Sequence, residues 1–171
     1  YKRARWNQDA VEKNEIATLA SVLELAPESK PLAEYVAALQ KGIRETAKGN
    51  ALDIDAAMKA YASALGCAPV KIELTAEEKA AAKVYPKSTA KVLESGYGVM
   101  RTISPELMAK YGFNKRGAVI NGGEIAKLTT SGTNSILDIK KMLDAQFPVG
   151  DSLETITNYV KMLEEAGLVT F

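Results

Sequence analysis

The chain has 171 residues, with 22 Lys and Arg against 21 Asp and Glu, so its net charge is only +1. That balance excludes a bulk electrostatic pull toward nucleic acid or an anionic membrane, and no apolar run approaches the roughly 18 residues that cross a bilayer. There is no histidine and only one cysteine, Cys67, which removes the usual general base, the usual zinc ligand, every Ser-His or Cys-His pair and any internal disulfide.

The chain begins YKRARW, with neither an initiator methionine nor a signal-peptide pattern, and is expected to be a piece of a longer protein. Lys2, Arg3 and Arg5 beside Trp6 fall short of a basic block and read as solvated charges rather than a nucleic-acid arm. Residues 7–25 predict a helix. Ile16, Leu19, Ala20 and Leu23 share one stripe, Val11 lies earlier in the run, and Pro27 closes it. Pro31 suits the first turn of a second helix. Leu32, Tyr35, Val36, Leu39 and Ile43 stripe it to about Ala47, where Gly49 and Asn50 are expected to stop it. A third helix is expected from about Asp53 to Leu65, with Met58, Tyr61, Ala62 and Leu65 inward and Gly66 at its end. Asp53 and Asp55 then read as helix-start charges favoured by the dipole. The first 66 residues resemble antiparallel helices with short connections. Cys67 has no local base or cation to activate it and is expected to be a buried thiol.

Val70, Ile72 and Leu74 alternate with Lys71 and Glu73, the period of a strand. Thr75 and Glu78 have capping-box spacing and open a short helix through about Val84, ended by Pro86. Residues 87–102 show no sustained period, and Gly96 and Gly98 around Tyr97 suggest a connector. The SGYG there lacks the spacing and lysine of a phosphate loop. Ser104-Pro105-Glu106 starts another helix with Leu107, Met108 and Tyr111 on one side, and Gly112 stops it. Asn121-Gly122-Gly123 lies between two β-favouring runs, which predicts a hairpin turn.

The last third carries the clearest pattern. Ser135 and Asp138 form a capping box, Ile136, Ile139 and Leu143 share one face, and Phe147-Pro148 end the helix. Asp151 and Glu154 repeat the capping spacing. Leu153, Ile156, Val160 and Leu163 make the next stripe, with Tyr159 at its edge, and Gly167 sits at the C′ position. Leu168, Val169 and Phe171 suit a terminal strand. Two helices joined by a short turn and followed by a strand predict a helix-turn-helix of winged-helix flavour. Its second helix would be the reading helix for DNA, but it offers Asp151, Glu154, Glu164 and Glu165 against Lys161 alone, and an acidic face repels a polyanion. DNA binding is therefore the alternative and not the leading reading. The candidate interaction face is Thr155, Asn158, Lys161 and Met162, and the candidate hairpin edge is Asn121, Gly122 and Gly123.

Residues 73–171 resemble the region after the catalytic domain in large bacterial di-zinc aminopeptidases of metallopeptidase family 28. The matching residues are Ser135-Ile136-Leu137-Asp138-Ile139-Lys140 and Leu163-Glu164-Glu165-Ala166-Gly167-Leu168-Val169. That family holds two zinc ions through His, Asp and Glu, with a Glu base. None of this maps onto the present chain, so the resemblance carries over no catalytic or metal residue. It implies a non-catalytic C-terminal part, with zinc only in a peptidase domain upstream, and it implies apolar patches on the N-terminal helices that such a domain would cover. A second likeness is to small peptide-binding chaperone domains, in which a peptide adds as a strand to a hairpin edge.

The expectation is a mainly α fold with a small β element. A helical segment (1–74) and a connector with short helices (75–115) lead into a winged-helix-like domain (116–171). Its expected role is that of an accessory or interaction domain of an aminopeptidase-like hydrolase, partnered by an upstream catalytic domain, a protein or a peptide. A soluble chain with a lean toward the cytoplasm completes the reading.

Overall fold

A computed structural model describes residues 1–115 and 117–171. The chain is mainly helical, and the described residues include one two-stranded sheet. It divides into two compact units, Tyr1–Glu73 and Leu74–Phe171. No helix among the described residues is long and apolar enough to cross a membrane.

The first unit is an antiparallel pair of helices, α1 (Lys2–Ser21) and α2 (Lys30–Ala64), joined by a 3-10 turn at Val22–Leu25. Ser29 caps α2 by accepting from the Leu32 amide, and Pro31 occupies its first turn. The antiparallel sense shows in three hydrogen bonds, each 3.1 Å long: Gln40 Nε2 to the Ile16 carbonyl, Asn50 Nδ2 to Gln8 Oε1, and Arg5 Nη1 to the Ala51 carbonyl. The expected break at Gly49 and Asn50 does not occur. An interior glycine costs a helix about 1 kcal/mol, and here the neighbouring Asn50 and Ala51 are both held by α1. Asp55 consequently lies inside α2 and not at a helix start. Its carboxylate accepts from the Tyr1 hydroxyl at 2.8 Å and from Arg5 Nη1 at 3.0 Å. Those two donors hold its carboxyl below the usual range, the tyrosine hydrogen bond first.

Two further expectations for this unit fail. Val70 to Leu74 form no strand, because no partner ladder lies beside them, and Lys2 Nζ instead donates to the Glu73 carbonyl. Cys67 is exposed.

The second unit begins with α3 (Ala76–Ala81), opened by the Thr75–Glu78 capping box. Next come β1 (Lys87–Ser88), α4 (Ala90–Ser95), a 3-10 turn at Tyr97–Thr102, and α5 (Pro105–Lys110) capped by Ser104. The helices α6 (Gly122–Leu128), α7 (Ile136–Gln146) and α8 (Leu153–Glu165) follow, and β2 (Val169–Thr170) ends the unit. Strand β2 pairs antiparallel with β1, Lys87 opposite Thr170 and Ser88 opposite Val169. The segment expected as a connector is thus built into the unit. Its β1 also donates from the Ser88 amide to the Thr129 carbonyl, while the Ile136 amide donates to the Val84 carbonyl.

The core of this unit is the stripe Ile136, Ile139 and Leu143 of α7 against Ile156, Val160 and Leu163 of α8, closed by Ile125, Leu168 and Val169. Both stripes follow the predicted spacing. Ser135 and Asp138 make the predicted capping box. Gly167 adopts φ +69°, and the Leu168 amide reaches back to the Leu163 carbonyl. This left-handed turn, which glycine takes without steric cost, lets β2 leave the end of α8.

Candidate functional site

The α8 helix positions the site, so its capping matters. Ser152, not Asp151, is its N-cap: the Ser152 hydroxyl accepts from the Thr155 amide at 3.0 Å. Asp151 is 4% exposed, and its two carboxylate oxygens accept from the Ile120 and Asn121 amides at 2.8 Å each. The α7–α8 turn is thereby fastened to the start of α6.

The same region corrects the predicted hairpin. Asn121 is the residue before α6, and Gly122 and Gly123 form its first turn. Asn121 and Gly122 are buried, so they offer no strand edge to a peptide. Tyr159 explains the glycine at 122. A Cβ there would lie 2.9 Å from the Tyr159 hydroxyl oxygen and 3.0 Å from Cζ. Tyr159 is itself packed, its ring standing edge-on to Phe113 with centroids 5.5 Å apart, so moving it disturbs the core. Burial pushes its hydroxyl pKa up.

The predicted interaction face divides. Met162 is 1% exposed and belongs to the core. It lies one turn beyond Tyr159, so it shares the side of α8 that Phe113 and Gly122 cover. Thr155 is taken up at the N-terminus of α8 by Ser152. Asn158 and Lys161 face outward and line a groove of 1010 Å³. The floor of that groove is apolar, made by Ala80, Ala81, Val84, Ile136, Leu153 and Phe171. Its rim is polar and carries both signs: Glu77 and Glu154 mark the starts of α3 and α8, and Lys83 and Lys161 lie further along. The Glu77 backbone amide, and then the Thr75 hydroxyl, hold the Glu77 carboxyl below its usual range. The sequence indicated this groove only through the outward spacing of Glu154, Asn158 and Lys161. The α3 wall lay in a segment whose packing no periodicity reveals.

The far end of α8 is engaged within the unit. Glu165 accepts from Lys110 Nζ at 2.6 Å and from the Tyr111 hydroxyl at 2.9 Å. These hydrogen bonds, lysine first, hold the Glu165 carboxyl below the usual glutamate range. Its tie to Lys110 and Tyr111, with Glu154 and Glu164 exposed on the same helix, leaves α8 ill suited to a phosphate backbone.

The described residues contain no group of three His, Cys, Asp or Glu side chains that could hold a metal ion. With no histidine in the chain, the donor set does not fit a di-zinc centre, and no chemical step is assigned to one. No protein-family model matches the chain, and neither curated proteins nor solved structures give a significant match.

Proposed function

We propose that the chain is a non-catalytic interaction domain whose second unit binds an apolar peptide segment in the groove between α3 and α8. The groove itself carries this reading. It is large enough for several side chains, apolar on its floor and polar on its rim, the usual make-up of a recognition site. A rim of mixed sign disfavours a polyanion and suits a peptide of little net charge. The succession of α6, α7 and α8 followed by a strand supports a winged-helix-like description of this unit. Its residues 135–140 and 163–169 resemble the post-catalytic part of zinc aminopeptidases. That likeness supports a place beside a peptidase domain, where such a groove would position or anchor substrate or partner.

The test is fluorescence anisotropy with a labelled short Leu- and Phe-rich peptide and its serine-substituted twin. Ala80 lines the groove and is exposed, so Ala80→Trp fills the groove without entering the core. The apolar peptide is expected to bind the native chain, and both the serine twin and the Ala80→Trp variant are expected to lose binding. Equal binding by the variant would overturn the assignment.

A further inference from the structure

We infer that the groove of the second unit takes its peptide extended, with a basic residue beside Glu154, an acidic residue beside Lys161, and the backbone between them held by the Asn158 carboxamide. The inference rests on the peptide-binding reading of the groove and specifies the partner. Leu153, Glu154, Thr157, Asn158 and Lys161 all line the groove, and their spacings of three and four along α8 place them on one face. Along that face the chemistry runs in a fixed order. A carboxylate stands in the first turn, an amide one turn on, and an ammonium about one turn further.

These three groups are unengaged. Among the described residues, no hydrogen bond or ion pair holds the side chain of Glu154, Asn158 or Lys161. Charges elsewhere in the unit are matched: Lys110 with Glu165, Lys127 with Glu124, and Lys140 with Asp144. Glu154 and Lys161 do not neutralise each other, because two helical turns separate them by about 10 Å along α8. The acids of the opposite wall are occupied. The Glu77 carboxylate accepts from its own amide and from the Thr75 hydroxyl, and Glu78 closes the capping box. Glu154 is thus the free carboxylate among the groove-lining residues.

The amide between the two charges selects the conformation of the guest. A helical peptide has satisfied its backbone within itself, whereas an extended one brings N–H and C=O groups that an apolar floor leaves unpaired. The Asn158 carboxamide offers both donors and an acceptor and is half-buried in the groove wall. Apolar side chains between the charged ends then cover Ala80, Val84 and Phe171, of which Phe171 is 56% exposed. Spacing follows from strand geometry. At about 3.3 Å per residue, a base and an acid four positions apart stand about 13 Å apart on one side of the peptide. The flexible side chains of Glu154 and Lys161 reach that span. Reversing the order of the two charges only reverses the direction in which the peptide lies, so the requirement is one charge of each sign.

The experiment is fluorescence anisotropy of the full chain at low ionic strength with three labelled, terminally blocked peptides. They carry Lys-Leu-Phe-Leu-Glu, Lys-Leu-Phe-Leu-Lys and Glu-Leu-Phe-Leu-Glu. The native chain is expected to bind the mixed-charge peptide about threefold to tenfold more tightly than either like-charged one. Lys161→Glu is expected to turn the preference to the peptide with two lysines, and Glu154→Lys to the peptide with two glutamates, with helicity unchanged by circular dichroism. Lys83 of the opposite wall is common to every arm and cancels in these cycles. Asn158→Leu makes the groove more apolar, yet is expected to weaken the mixed-charge peptide by about fivefold or more. With binding still abolished by Ala80→Trp, three results would each overturn the inference while leaving the groove in place. They are equal affinity for the three peptides, preferences that ignore the two charge exchanges, and tighter binding by Asn158→Leu. Binding of none of the three, or binding indifferent to Ala80→Trp, would overturn the groove reading and this inference with it.

Discussion

Replacing Gly122 with alanine tests how α6 and α8 are fitted together. At an ordinary helical glycine, alanine gains up to about 1 kcal/mol by limiting the unfolded chain and improving helix propensity. Here the new Cβ would meet the Tyr159 hydroxyl oxygen at 2.9 Å, Cζ at 3.0 Å and Cε2 at 3.4 Å. The first is shorter than real Cβ contacts, and the second is tighter than about nine in ten of them. Tyr159 is only 9% exposed and stands against Phe113, so the ring must shift within a packed core or α6 must move away. Overpacking of that kind costs about 1–3 kcal/mol, which outweighs the propensity gain. The net loss is expected to be about 1–2 kcal/mol. For a unit of about a hundred residues, this lowers the melting temperature by roughly 4–15 °C. Tyr159→Phe removes the atom making the shortest contact, so adding it to Gly122→Ala is expected to recover part of the loss. Calorimetry of the native chain, the two single variants and the double variant completes the cycle. A Gly122→Ala variant as stable as the native chain, or a double variant whose losses simply add, would refute the account of this contact.

Other expectations follow from neighbouring contacts. Asp151→Ala removes the acceptor of two amides at the start of α6, and urea unfolding is expected to show a loss of about 2–3 kcal/mol. Asp151→Asn, which keeps an acceptor, should lose less. Met162→Ala is expected to cost about 2–5 kcal/mol as a core truncation, whereas Lys161→Ala, exposed at the groove rim, should change stability by no more than about 0.5 kcal/mol. The Glu165 link has a worked pH dependence. A carboxyl depressed in the folded state contributes stability above the ordinary glutamate range and loses it as pH falls through the depressed value. Hydrogen bonding to Glu165 raises the Lys110 pKa, so its contribution is complete below the ordinary lysine range and is lost as pH rises through the raised value. Carbon-13 titration of the Glu165 carboxyl should therefore show a midpoint below that of an ordinary glutamate, and Lys110→Met should return it toward the ordinary range.

How much of this was legible in the sequence depended on the distance over which each residue acts. Ser135 and Asp138 satisfy each other within one turn, so their capping box reads directly from four consecutive residues. The stripes of α7 and α8 and the turn at Gly167 are local in the same sense. The Asn121-Gly122-Gly123 run failed as a hairpin because the glycine answers to Tyr159, far along the chain, rather than to a turn. Asp151 and Ser152 are both good capping residues, and only the folded start of α6 decides which of them caps. Gly49 looked like a stop because the hydrogen bonds from α1 that hold Asn50 and Ala51 leave no periodic trace. The groove lies between two walls. The Asn158–Lys161 side was visible as the outward face of a helix, but α3 could be placed opposite only once Val84 was seen to accept from the Ile136 amide.

The central claim, that the second unit recognises an apolar segment in this groove, is tested most directly by amide shift mapping. The apolar peptide is titrated into the nitrogen-15-labelled full chain. The predicted result is saturable shifts concentrated in α3, the N-terminal half of α8 and Phe171, all absent in Ala80→Trp. Shifts elsewhere with these elements silent, or shifts that persist in Ala80→Trp, would contradict it.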